Sequence, residues 1–235
     1  LSVSLGYRDK LSQGRRAMAH LIHLWHERNA WSHRVLPLLS EILDLGRVHN
    51  SQISNLRNGK LSSPGPEVFL ALAQINTILD QGVESVRDQL ETKHPELWRS
   101  LKDSAVPLKN DSGNPLSAGE LFEIFAGLQP LPSSFDWYIE DEEASALSDA
   151  LSDHFCQNRP WRSCKVIIME AYNVTKPLRR ERFAEVIAGI RDYTAEELDG
   201  ELLDLYETSK RLSYFNEGGP NAFLSELRNI VLQKI

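Results

Sequence analysis

Apolar residues recur along this chain at steps of three and four, the spacing that gathers side chains on one face of an α-helix. Met18, Leu21, Ile22 and Trp25 open the pattern. Leu36, Leu39, Ile42 and Leu43 predict a second helix, residues 49–58 a short third, and Val68, Leu72, Ile75 and Leu79 a fourth. Pro64 and Pro66 stand before that fourth helix, where proline is tolerated because the first-turn N–H groups have no partner anyway. Two shorter helices are expected before residue 103. The stretch SAVPLKNDSGNP, beginning at Ser104, has turn formers and two prolines but no apolar period, and reads as a linker over 104–116.

Past that stretch, Ser117 with Glu120 and Thr194 with Glu197 form capping boxes, in which a hydroxyl and a carboxylate serve each other's backbone N–H. Each predicts a helix start, and Tyr193 is placed to staple onto Leu198. Leu147, Leu151 and Phe155 share one face, Phe183, Val186, Ile187 and Ile190 another, and Phe223, Leu227, Ile230 and Val231 mark a final helix. Val166–Met169 is too short to separate helix from strand by period alone and is read as helix. The expectation is an all-α chain, with one domain over 1–103, a linker over 104–116 and a second helical domain over 117–235.

Composition supports a folded chain. Its 235 residues are 41% hydrophobic and 25% charged, with room for two modest cores. No window approaches a membrane span, and the first residues lack the layout of a signal peptide, so no membrane partner and a cytoplasmic location are expected. Cys156 and Cys164 lack a metal-type spacing and read as reduced structural thiols. The net charge of -7 is unevenly spread: residues 1–66 hold nine Lys/Arg against four Asp/Glu, and the acidic excess lies beyond them. A basic end on an acidic body can bring one face to a polyanion, which permits nucleic-acid binding.

The segment from Leu36 to Asn76 carries several constraints together. Leu45-Gly46 is expected to end one helix, with a tight turn through Arg47 and Val48 leading to the next. In that next helix Ile53 and Leu56 form the inward pair. Asn50, Ser51 and Asn55 then face outward with small polar groups suited to base edges, and Asn58-Gly59 stops the helix beside Lys60.

The run HNSQISNLRNGK at His49–Lys60, preceded by LG and followed by a proline-led amphipathic helix, resembles the lambda-repressor-like (XRE/Cro-type) helix-turn-helix family over about residues 15–80. That resemblance implies a helix-turn-helix DNA-binding domain at the N-terminal end. It implies that Asn50, Ser51 and Asn55 read bases in double-stranded DNA, since asparagine can pair with adenine N6 and N7. It further implies that His49, Asn58 and Lys60 meet phosphate, with Arg34 near the flanking backbone and Gln52 in support. Arg47 departs from the pattern as an extra turn residue, Arg57 stands where an acidic residue is common, and Pro37 lies in a helix that is longer than usual for its place. Arg47 and Arg57 are read as either phosphate contacts or solvated cations. Half-sites in this family are usually read by dimers, so a homodimer on palindromic sites is expected, with residues 117–235 supplying self-association or a protein partner.

Other constellations read as structural. His20, His23 and His26 drift around their helix and do not converge on one metal ion. Glu140–Glu143 offsets a helix dipole. Lys176, Arg179, Arg180 and Arg182 read as a solvated face with local pairs in preference to an anion site. Trp137, Tyr138, Trp161 and Tyr172 read as core or interface anchors. No nucleophile elbow, phosphate loop, zinc-protease or dinucleotide motif is present, so no enzyme, cofactor or metal is expected. The leading function is a sequence-specific DNA-binding regulator. The alternative is an interaction or scaffolding module whose helix-turn-helix unit does not bind DNA.

Overall fold

Helical periodicity becomes helix throughout the computed structural model, which describes residues 6–233 apart from Arg47, Ser62, Ser104 and Glu217. Among the described residues there are twelve α-helices and no strand beyond an isolated antiparallel bridge between Lys109 and Pro115. The chain is all-α, and its backbone divides into two compact units between Phe135 and Asp136.

The first unit is organised around α1 (Tyr7–Asn29), followed by α2 (Val35–Ile42), α3 (Asn50–Arg57), α4 (Pro66–Gln81), α5 (Arg87–Leu90), α6 (Pro95–Asp103) and α7 (Ala118–Ala126). Met18, Leu21, Ile22 and Trp25, the face predicted from spacing, are fully buried. α7 lies close against α1. A Cβ on Gly14 would stand 2.3 Å from the Gly127 nitrogen, and one on Gly127 would stand 2.0 Å from the Lys10 carbonyl oxygen, so only glycine permits this approach. Gly127, with φ 71°, also ends α7, and its left-handed conformation is open to glycine without a side-chain penalty.

Residues 105–116 belong to the first unit and do not form a linker. Asn29 accepts from the Val106 N–H at 2.7 Å and donates to the Val106 carbonyl at 3.0 Å, while Trp25 Nε1 donates to the same carbonyl at 3.0 Å. Asn76, fully buried on α4, accepts from the Leu108 N–H at 2.6 Å and donates to the carbonyls of Leu108 and Leu116 at 2.8 and 3.3 Å. The turn formers are real, but they close a small hairpin that two asparagines seat on α1 and α4. A backbone with apolar Leu108 and Leu116 facing inward must have its polar groups satisfied, and the amides do this. The boundary between units therefore lies past α7.

The second unit comprises α8 (Ala144–Cys156), α9 (Trp161–Ala171), α10 (Pro177–Ile187), α11 (Ala195–Arg211) and α12 (Pro220–Leu232). Val166–Met169 lies within α9, as the helical reading expects. Both capping boxes form. Ser117 Oγ accepts from the Glu120 N–H and Thr194 Oγ1 from the Glu197 N–H, each at 3.2 Å, with the glutamate carboxylates returning the bond. Leu147, Leu151, Phe155, Phe183, Leu198, Leu202, Phe223 and Leu227 make the core. Among the described residues no helix is long and apolar enough to cross a membrane.

The basic cluster in this unit is not a solvated face. Arg179 is 1% exposed and grips Glu201 with two bonds of 2.7 Å, with a third of 2.7 Å to Asp204. Tyr172, stacked on Phe183 at 4.0 Å, donates its hydroxyl to the same Glu201. Burial alone would lower Arg179, but the carboxylates of Glu201 and Asp204 outweigh it and hold the guanidinium charged. Lys176 is buried as well, Arg180 donates to the carbonyls of Met169, Tyr172 and Val174, and Arg182 pairs with Glu197. Of the four aromatic anchors, Trp137 and Tyr172 are buried, Trp161 is half-buried and Tyr138 is 62% exposed. Cys156 and Cys164 are free and buried, their sulfurs 3.7 Å apart, and burial pushes the Cys156 thiol up to about 11.

Candidate nucleic-acid interface

α3 is two turns long and buries two residues, Ile53 and Leu56, against the first unit. That inward pair sets the rotation of the helix. Asn50, Ser51 and Asn55 are therefore exposed, and Ser51 and Asn55, four positions apart, share one side. At the start, the His49 N–H donates to Gln52 Oε1 at 2.8 Å, so Gln52 acts as a cap and is half-buried. At the end, Lys60 N–H donates to the Asn55 carbonyl at 2.8 Å and Gly59 N–H to the Leu56 carbonyl at 3.1 Å. Gly59 has φ 65°, and the pair of bonds is a Schellman stop that leaves Lys60 exposed just past the helix. Asn58 Nδ2 donates to the Ser54 carbonyl at 2.8 Å, so this side chain helps close the helix end.

The approach to α3 differs from expectation. α2 is eight residues long, not extended, and Pro37 sits in its first turn, where proline fits. Its stop is Asp44, not Gly46. Asp44 takes φ 51°, and the Leu45 N–H reaches back to the Ser40 carbonyl at 2.9 Å. The signal missed was the tolerance of aspartate for the left-handed region. The connection then runs from Leu43 to His49, seven residues, where a helix-turn-helix commonly has about three or four. Ser40 Oγ donates to the Gly46 carbonyl at 2.6 Å and ties this longer turn to α2. Arg47, assigned to phosphate or solvent, lies outside the described residues.

Arg57 follows neither of its two readings. Its Nε donates to His23 Nδ1 at 2.9 Å, and its Nη2 stands 3.9 Å from Glu27 Oε1, so the guanidinium is turned back onto α1. The three histidines of α1 are drawn inward to different depths. His26 is fully buried, and burial carries its imidazole down to about 4, so it is neutral at pH 7. His23 is nearly buried and His20 half-buried.

Between α2 and the start of α3 lies a groove of about 720 Å³, lined among others by Arg34, Glu41, Asp44, Val48, His49 and Asn50. Arg34 and His49 are exposed, as a backbone contact requires, but Glu41 and Asp44 put two carboxylates beside them. The site thus brings together Asn50, Ser51, Asn55 and Lys60 on an exposed short helix, places Gln52 and Asn58 at its caps, and diverts Arg57 to α1.

No curated protein and no solved structure matches this chain. Residues 144–234 match the family model DUF8645, a domain of unknown function. Residues 8–127, more than half of the chain and nearly the whole of the first unit, match the model DUF8644. The chain belongs to the DUF8644 family, a domain of unknown function.

Proposed function

We propose that the first unit is a DNA-binding domain with α3 as its recognition helix, and that the protein is a sequence-specific regulator acting as a dimer in the cytoplasm. One observation carries this reading: α3 spends its only two apolar residues on the core and turns three uncharged hydrogen-bonding side chains, Asn50, Ser51 and Asn55, to solvent. Such a face matches the donor and acceptor pattern of base edges in a major groove, whereas a helix that merely covers a core has more use for long charged residues. Lys60 supplies a cation at the margin, and the excess of basic residues over 1–66 gives the field.

A second reading, a protein-docking module, is favoured by the long connection to α3 and by Glu41 and Asp44 beside His49. Phosphate and these carboxylates repel, while a basic partner surface and these carboxylates attract.

Titration of the full chain against a random duplex pool separates the two. The leading reading expects log affinity to fall with log salt by about 0.9 per phosphate neutralised, and Lys60→Ala to reduce that slope by about one. Asn55→Ala is expected to relax base preference by about 1 to 3 kcal/mol while leaving the salt slope intact. Absence of duplex binding at low salt rejects the leading reading.

A further inference from the structure

A different cavity of the first unit, about 640 Å³, lies where the end of α1, the start of α2 and the start of α6 meet. That volume is in the range of small-molecule sites. Trp31, Val35 and Leu38 form its apolar wall, and Arg34, Lys93 and Glu96 carry the charge around it.

Three observations give the cavity a chemical character. Trp31 is 6% exposed and its indole N–H is buried without an acceptor among the described residues. A buried donor left unpaired is costly and calls for a missing acceptor. α6, nine residues long, begins at Pro95, and its first intrahelical bond runs from the Trp98 N–H to the His94 carbonyl at 2.9 Å. The N–H groups of Glu96 and Leu97 therefore have no helical acceptor, and both residues line the cavity at the positive end of the helix. Finally, Arg34 and Lys93 outnumber the one carboxylate, Glu96, so the cavity suits a single negative charge better than a dianion.

We propose that this cavity binds a small monocarboxylate with an apolar body. The carboxylate lies toward Lys93, Arg34 and the first turn of α6 and accepts from the Trp31 N–H, and the body lies against the Trp31 ring, Val35 and Leu38. Because Val35 and Leu38 belong to α2, occupancy bears on the helix that precedes α3. That regulatory consequence rests on the DNA-binding reading, whereas ligand binding does not.

The test is ligand-observed fluorine NMR on the full chain with 4-fluorophenylacetate, its neutral amide 4-fluorophenylacetamide, 4-fluorophenyl phosphate, and fluoroacetate, which lacks the apolar body. The expected result is line broadening with 4-fluorophenylacetate alone. Lys93 is exposed, so Lys93→Ala leaves the fold intact, and it is expected to weaken binding about tenfold, the usual scale for losing a charge-assisted contact. Trp31→Phe keeps an aromatic wall and loses the N–H, and a weaker broadening with an unchanged circular dichroism spectrum supports the site. Equal broadening by the amide, stronger broadening by the phosphate, no broadening at all, or indifference to Lys93→Ala each overturns the proposal. All are read without DNA, so failure here leaves the duplex titration standing, and the reverse holds as well.

Discussion

The two units bury polar groups in different ways. In the first, beside the buried Arg28 that donates to the Ser134 carbonyl, neutral amides serve neutral backbone: Asn29 and Asn76, both fully buried, hold the segment around Val106, Leu108 and Leu116. In the second, ionisable groups are buried: the charged Arg179 among Glu201, Asp204 and Tyr172, and Asp199, which is 5% exposed and kept protonated by burial. The contrast teaches that one all-α architecture can be pinned by two kinds of polar contact with unlike responses. An amide contact does not titrate, whereas a buried carboxylate makes stability depend on charge and on pH.

The strongest way to break this comparison is to strand a charge. Glu201→Ala removes the bidentate carboxylate from the buried Arg179, leaving it beside the half-exposed Asp204, and is expected to cost the second unit about 3 to 5 kcal/mol in urea unfolding. Replacing both partners, Arg179→Met with Glu201→Leu, is expected to restore much of the loss. If the single variant costs no more than an ordinary core substitution, the ionic account of the second unit fails.

Next in size is the amide. Asn76→Ala removes three hydrogen bonds and leaves the Leu108 N–H and the Leu116 carbonyl unsatisfied, while the Leu108 carbonyl keeps its bond from the Leu116 N–H, at an expected cost of about 2 to 3 kcal/mol. Hydrogen exchange sharpens the contrast. Protection is expected to fall at residues 106–116 and in α7, with the loss the same at acid and neutral pH.

The effect that disappears at acid pH is the titration of the second unit. Burial, then the negative charges of Glu143 and Glu196, raise Asp199 from its ordinary 3.8 to about 8. The folded chain therefore holds a proton at Asp199 over a range where the unfolded chain has released it. Stability from this group is fully present below about 4 and is lost as pH rises through about 8. Asp199→Asn keeps the neutral form at every pH, and is expected to stabilise the chain progressively as pH rises toward 9 and hardly at all near pH 4. Thermal unfolding across that range checks it, and a gain independent of pH removes the titration argument.

The sequence by itself determined the helices, because amphipathic period and capping are local. The all-α class, the boxes at Ser117 and Thr194, and the inward turn of Ile53 and Leu56 followed from spacing alone. So did the exposure of Asn50, Ser51 and Asn55, since two buried positions fix the rotation of a two-turn helix. Tertiary structure alone decided the partners of long polar side chains. Nothing near Arg57 in sequence shows that it turns to His23 and Glu27, nor does the neighbourhood of Arg179 reveal the carboxylate more than twenty residues on that draws it into the core. A polar segment such as 104–116 likewise reads as a linker until the buried amides that receive its backbone are known. The physical reason is common to all three: a helix repeats its own geometry residue by residue, but a buried polar group settles wherever the fold brings its complement, at any distance along the chain.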